Sequence, residues 1–277
     1  MPELPEVETV VRALRRTVLG ARLIGVNYAS HRVSRPNPRG WKDQVAGRHI
    51  AAIERRGKYI LFGLSGGHHL VMHLRMTGRL RLGSAPCVRG KYDRLILVLD
   101  GPESRQVRHL VLVDTRQFAR ADWCLPGALE QHSGLARLGP DALMATVEHL
   151  LRIMAGTHRP IKALLLDQHA LAGLGNIYAD EALFGARIHP TAPADSLRNA
   201  RRQRLLGAIH AVLAAAVAAC GTTFDTFSDL EGRSGGFAAQ LKVYGRTGEP
   251  CLRCATPVAR IVIIGRSSHF CPRCQRC

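Results

Sequence analysis

Four groups of residues in this chain have types and spacings that could do chemistry. The most specific is Cys251-Leu-Arg-Cys254, followed after sixteen residues by Cys271-Pro-Arg-Cys274. Each C-x-x-C knuckle can bend two thiolates onto one tetrahedral ion, so the spacing reads as a structural zinc site with no open coordination position. The second group is the start, Met1-Pro2-Glu3-Leu4-Pro5-Glu6. Removal of Met1 would leave a secondary amine on Pro2. An α-amine, with a reference pKa of about 7.7–8.0 against about 10.4 for lysine, is a ready nucleophile near neutral pH. Its attack on a sugar anomeric carbon would give an iminium ion, by the logic of a lysine Schiff base. Glu3 would then serve as general acid or base, with Glu6 at a helix start; the same residues could also be a helix start and nothing more. The third group, Arg55-Arg56-Gly57-Lys58-Tyr59, puts Lys58 on a tight turn, where it meets a phosphate, donates a proton or simply faces solvent. The fourth, Leu171-Ala-Gly-Leu-Gly-Asn176, is a glycine-rich turn into a helix, which suits phosphate through free N–H groups or is an ordinary capped helix. It lacks the Gly-Lys-Ser/Thr ending of a nucleotide P-loop.

These groups need elements to hold them. Val7, Val10, Val11, Leu14 and Val18 recur at helical spacing between Pro5 and Gly20, which predicts a helix over 5–19. From 22 to 123 the pattern turns to short strands, at 22–28, 49–55, 59–64, 69–74, 94–99 and 107–113, the signature of a sandwich. After a boundary near 125–138 the period becomes helical, over 141–154, 161–167, 176–187 and 195–219. The four cysteines then enclose a hairpin, with a strand at 259–264, a turn at 265–267 carrying Arg266, and a return strand at 268–270.

Composition narrows the partner. The 277 residues suffice for about two domains with real cores. Lysine and arginine total 39 against 21 acidic residues, a net charge of +18, which calls for a polyanion and above all nucleic acid. Only five of the basic residues are lysines (Lys42, Lys58, Lys91, Lys162 and Lys242), which makes each of them more informative, because a site that needs a compact amine cannot use a guanidinium. Aromatics at 5% are too few to stack a long single strand, so duplex binding through phosphates fits better. No run is long and apolar enough to span a bilayer, and Glu3, Glu6 and Glu8 stand where a secretory signal carries basic residues; a cytoplasmic, nucleoid-associated protein is expected. Cys87, Cys124, Cys220 and Cys277 lack ligand spacing and read as plain thiols.

Pro2-Glu-Leu-Pro-Glu-Val-Glu8, Arg56-Gly-Lys58, the stretch from Asp167 to Pro190 and the terminal four-cysteine unit together resemble bacterial formamidopyrimidine-DNA glycosylase, the 8-oxoguanine repair family, from end to end. The resemblance implies an α+β fold. An N-terminal helix and two-layer β-sandwich occupy 1–130, a helical domain with a helix-two-turns-helix element 131–240, and the four-cysteine zinc β-hairpin 241–277. It implies a monomer acting on double-stranded DNA that contains oxidised bases, with one structural Zn2+. Pro2 would attack C1′ of a flipped-out nucleotide, expel the oxidised purine and permit β- and then δ-elimination. Glu3 would be the proton donor, Glu6 would support the pocket, and Lys58 and Arg266 would serve the reaction beside the lesion phosphates. Met76, Arg116 and Phe118 would fill the hole left by the flipped base; without the resemblance, Met76 and Phe118 read as core side chains. His73, Lys162, Asn176 and Tyr244 would clamp phosphates, and residues 222–237, with four glycines from Gly221 to Gly236, would form a mobile loop over the base. Thr77, Lys91-Tyr-Asp-Arg94 and Ala119 depart from the pattern, and the first two bear on lesion preference. The alternatives are an endonuclease VIII-like glycosylase for oxidised pyrimidines, against which Leu4-Pro5 argues, and a non-catalytic zinc protein that binds nucleic acid.

Overall fold

The structure, a computed structural model, describes every residue except 35–36, 85–87, 102–106, 224–229 and 231. Cys87 and seven of the sixteen residues of the expected loop at 222–237, namely 224–229 and 231, therefore lie outside the described residues. The chain divides into two compact units, Met1–Ala136 with Cys220–Gly236, and Arg137–Ala219 with Phe237–Cys277.

The first unit opens with helix α1 (Leu4–Thr17). Glu3 is its extended N-cap residue, and Pro5 sits in the first turn, where a missing N–H costs nothing. Val7, Val10, Val11 and Leu14 form its buried stripe. Then come β1 (Arg22–Ala29), the short helices α2 (His31–Ser34) and α3 (Trp41–Val45), and seven strands: β2 (Ile50–Arg56), β3 (Tyr59–Leu64), β4 (His68–His73), β5 (Arg79–Ser84), β6 (Asp93–Asp100), β7 (Val107–Val113) and β8 (Arg120–Cys124). They form two four-stranded antiparallel sheets, in the orders β1-β6-β7-β5 and β2-β3-β4-β8. One core joins the inner faces of both sheets to α1, through Leu23, Phe62, Met72, Leu97, Leu110 and Trp123. Strands β5 and β8 escape the apolar pattern used to find the others, because charges break their short apolar runs: Arg79 and Arg81 alternate along β5, and Arg120 and Asp122 along β8. Segment Cys220–Gly236 belongs to this unit, not to a continuous helical domain, and Leu230 is part of its core.

The second unit holds α4 (Val147–Met154), α5 (Ile161–Leu166), α6 (Asn176–Ala186), α7 (Asn199–Ala218), β9 (Ala259–Ile263) and β10 (Arg266–Phe270). The expected helix at 141–154 loses residues 141–146, since Ala142 and Ala172 pair through the backbone and Thr146 caps a later start. Helix α7 likewise begins at Asn199, after a short turn at Ala194–Ser196. Helix α6 is apolar on almost every side, with Tyr178, Leu183 and Phe184 fully enclosed, yet it also buries Asp180 and Glu181. In the hairpin, Ile263 pairs with Arg266, so the turn is Ile264-Gly265, both at positive φ (45° and 72°), the geometry of a two-residue turn. Arg266 is thus the first residue of β10, not part of the turn. No helix among the described residues is long and apolar enough to cross a membrane.

Candidate active site and nucleic-acid interface

Eight of the expected site residues lie in the first unit. Pro2, Glu3 and Glu6 are all buried at the head of α1. The Glu6 carboxylate accepts the Glu3 N–H through Oε2 at 2.8 Å and the Thr222 N–H through Oε1 at 2.7 Å. Gly221 makes that second contact possible, because it has φ +83° and a Cβ there would stand 2.8 Å from Glu6 Oε1. Glu6 thus ties the residues that follow Met1 to a segment more than two hundred positions away.

Lys58 occupies the β2-β3 turn, where Gly57 takes the first position at φ +58°. It is only 6% exposed, which excludes a solvated hairpin tip. Arg55 anchors this turn to α1 by donating from Nε to Glu8 at 2.9 Å and from Nη1 to the Gly57 carbonyl at 3.1 Å. Burial raises the Glu8 pKa, but the hydrogen bonds from Arg55 and Arg12 outweigh it and hold the group below its ordinary value, so it is the ionised partner that two guanidiniums require. The turn bearing Lys58 and the helix bearing Glu3 are therefore coupled through one charge.

His73 ends β4. Burial, reinforced by the nearby charges of Arg75 and Lys58, lowers its pKa to about 3. Its Nδ1 accepts the Arg75 N–H at 2.9 Å, which leaves the proton of the neutral ring on Nε2 as a donor. Next comes a tight turn carrying Met76, closed by the Gly78 N–H on the Leu74 carbonyl at 3.0 Å; a Cβ at Gly78 would lie 2.3 Å from that oxygen. Met76 is half-buried. Phe118 is 49% exposed with the Arg116 guanidinium 4.6 Å above its ring, so it is no core side chain.

A residue that sequence reasoning passed over holds both loops. Asp114, fully enclosed, accepts the N–H groups of Arg116 (3.1 Å), Phe118 (2.7 Å) and Ala119 (2.8 Å), and the Thr77 hydroxyl. One carboxylate thereby fixes the Arg116–Phe118 loop and the residue after Met76. Arg75 and Gln117, both at φ +56°, carry backbone strain in these two loops. The available signal was an acidic residue directly after the apolar strand β7, at the head of Asp114-Thr-Arg-Gln-Phe118.

The remaining residues lie in the second unit. Lys162 departs from its expected place. It is 0% exposed, pairs with Asp180 at 2.6 Å and donates to the Ser267 carbonyl at 2.7 Å, so in this structure it is an internal brace and not a surface phosphate contact. The second oxygen of Asp180 accepts the His269 N–H at 2.9 Å, which locks β10 to α6. Its neighbour Glu181 accepts the N–H groups of Lys242, Val243 and Tyr244, fixing the Tyr244 segment; burial nevertheless raises its pKa. Two adjacent carboxylates in an apolar helix were the overlooked sign. Asn176 is the first residue of α6, with Gly175 as N-cap, and its buried Oδ1 has no hydrogen-bond partner among the described residues. Arg266 is exposed on the hairpin.

The ligand sulfurs of Cys251, Cys254, Cys271 and Cys274 lie within 4.8 Å of one another. Sulfur pairs at 3.4, 3.5 and 4.0 Å match the separation of about 3.8 Å in a tetrahedron with zinc–sulfur bonds of about 2.3 Å. The Arg253 and Cys274 N–H groups point at Cys251 and Cys271 sulfurs at 3.4 Å, as thiolates would require.

Comparison with known proteins divides the chain into three matched segments. Residues 1–121 match the formamidopyrimidine-DNA glycosylase N-terminal domain, 138–228 the H2TH domain of that enzyme, and 248–276 a zinc finger found in FPG and IleRS. The formamidopyrimidine-DNA glycosylase of Solibacter usitatus is 43% identical over the full length of both chains. The crystal structure of the MutM (Fpg) protein of Thermus thermophilus superposes with a TM-score of 0.87 at 42% identity, covering 99% of this chain and 98% of that one. Lactococcus lactis Fpg in complex with DNA containing an abasic site gives 0.90 at 32% identity, over 99% and 100% of the two chains.

Proposed function

Since the chain belongs to the formamidopyrimidine-DNA glycosylase family and is a DNA glycosylase acting on damaged DNA, we propose that it excises oxidised purines from duplex DNA through a Schiff base on Pro2, and then cleaves the strand. The observation that carries this reading is the Glu6 clamp, which fixes a buried Pro2-Glu3 head on both sides of one carboxylate. With Met1 in place the Pro2 nitrogen is an amide without a nucleophilic lone pair, so its removal is the first requirement. The freed secondary amine attacks C1′, the bond from C1′ to the base breaks, and the purine departs. Glu3 gives a proton as the sugar ring opens, leaving an iminium ion. Loss of a C2′ proton then expels the 3′ phosphate, and a second elimination the 5′ phosphate. One nitrogen serves every bond-breaking step.

The remaining residues hold the DNA. Lys58, almost desolvated, supplies a concentrated positive charge to a phosphate near the lesion, and His73 offers a neutral Nε2–H donor. Asn176 at the head of α6, Tyr244 and Arg266 complete the backbone contacts. Flipping a nucleotide costs a few kcal/mol of unstacking. Met76, Arg116 and Phe118, on two loops braced by Asp114, fill the vacated space. The four cysteines hold one structural zinc, which cross-links the knuckles and leaves no coordination position for a reacting group.

Borohydride trapping on an 8-oxoguanine duplex tests the reading. The expected result is a covalent adduct that maps to Pro2, on protein whose intact mass shows loss of Met1. Pro2→Gly should form it far more slowly. No adduct would leave a non-catalytic binder, and an adduct formed faster with an oxidised pyrimidine would move the enzyme to the endonuclease VIII-like branch.

A further inference from the structure

In the second unit a hollow of about 760 Å³ is lined by six arginines, Arg187, Arg201, Arg204, Arg253, Arg273 and Arg276, together with Cys254, Cys274 and Cys277. The arginines come from segments remote in sequence: the residue after α6, the first turns of α7, and both cysteine knuckles. A compositional bias toward arginine scatters such residues along a chain and gives no reason for six to converge on one hollow. Among the described residues no acidic side chain lines it. Two of the six are already held in place. Arg253 donates to the Phe184 carbonyl at 2.7 Å and stacks on that ring at 4.2 Å, and Arg201 donates to the Arg276 carbonyl at 2.7 Å. The backbone beneath is fixed as well, since Gln275 donates to the Ile188 carbonyl at 2.9 Å.

A zinc tetrathiolate carries a net charge of about −2, so it neutralises only part of this cluster. The hollow is also separate from the proposed phosphate contact on the hairpin. Arg266 stands at the turn end of β10 and the knuckles at the other, about 16 Å away along five strand residues. Duplex DNA is a rod about 20 Å across whose phosphates call for a stripe of cations along a face, whereas these guanidiniums surround a depression. Among the described residues no aromatic side chain lines it to stack an unpaired base. What remains is a slender, flexible chain of carboxylates, whose planar groups match the guanidinium fork two bonds at a time.

We propose that this arginine-lined hollow is a docking site for an extended acidic peptide segment of a partner protein, one that can be engaged while the enzyme holds DNA. The test is fluorescence anisotropy with a labelled decapeptide of alternating aspartate and glutamate, added to zinc-loaded protein already saturated with a duplex carrying an abasic analogue. The expected result is saturable binding that Arg204→Glu with Arg276→Glu weakens at least about tenfold, as like charges across a contact require. The neutral pair Arg204→Gln and Arg276→Gln should weaken it less, with zinc content, melting and duplex affinity unchanged in both. Three outcomes overturn the proposal: absence of binding, equal binding by the charge-reversed variant, or displacement of the peptide by the duplex. The third of these, with duplex affinity falling in the same variants, would make the hollow a nucleic-acid surface instead.

Discussion

A histidine that faces two cations has every reason to stay neutral, and His73 is neutral by burial first and by Arg75 and Lys58 second. That choice of charge state has a consequence for stability as well as for binding. The native ring titrates at about 3, against an ordinary value of 6.5, so between those values the unfolded chain binds a proton that the folded chain does not. Stability must therefore rise with pH across this window and level off above it. Comparing urea unfolding at about pH 4.5 and pH 7.5, wild type should lose about 2–3 kcal/mol more than His73→Gln on going to the lower pH. Equal losses would place the charged ring in the native state. Lys58 illustrates the opposite problem. A lysine in a Gly-containing turn reads equally well as solvated or functional, and only its burial, produced by the packing around the β2-β3 turn, separates the two.

At the scale of elements, carboxylates do the joining. Asp114 accepts three backbone N–H groups and a hydroxyl from the two loops that carry Met76, Arg116 and Phe118. An amide at this position keeps one acceptor oxygen and turns two donors toward donors. Asp114→Asn should accordingly cost at least about 2 kcal/mol of stability in that region. Its distinguishing effect is functional: lesion excision from duplex should fall at least tenfold, while cleavage of a single-stranded abasic site, which needs no wedge, should persist. A parallel loss on both substrates would reduce Asp114 to a general structural role. In the second unit, Lys162 and Asp180 form a pair without solvent. Lys162→Met alone leaves Asp180 Oδ1 without its cation and should cost about 3–5 kcal/mol in urea unfolding, part of which the double variant Lys162→Met with Asp180→Asn should restore, because a neutral amide keeps an acceptor for the His269 N–H. A surface phosphate contact would show neither the loss nor the rescue.

For the whole molecule, the zinc unit gives the largest single lever. Zinc bound by the four cysteines would contribute directly to folding, so chelation should unfold the hairpin, seen by circular dichroism, and with it remove the phosphate contact proposed for Arg266; duplex affinity should fall steeply and recover when zinc is returned. Affinity unchanged by chelation would mean that the hairpin contributes nothing to binding. The cysteine spacing, the helix stripe from Val7 to Val18 and the alternating strands were legible in the sequence because each is a local signal: two ligands on one knuckle, or one apolar face repeating at 3.6 or 2 residues. The strands β5 and β8 were not, since the charges at Arg79, Arg81, Arg120 and Asp122 break their apolar runs. Nor could the sequence reveal that Glu6 meets Thr222, that Asp114 joins two loops, or that Lys162 lies inside instead of at the surface. Those facts depend on which distant backbone N–H or carbonyl arrives beside a buried charge. A chain read along its length determines the type of each group and its local periodicity; only the packed fold decides which groups lose water together, and that loss sets their partners, their protonation and their roles.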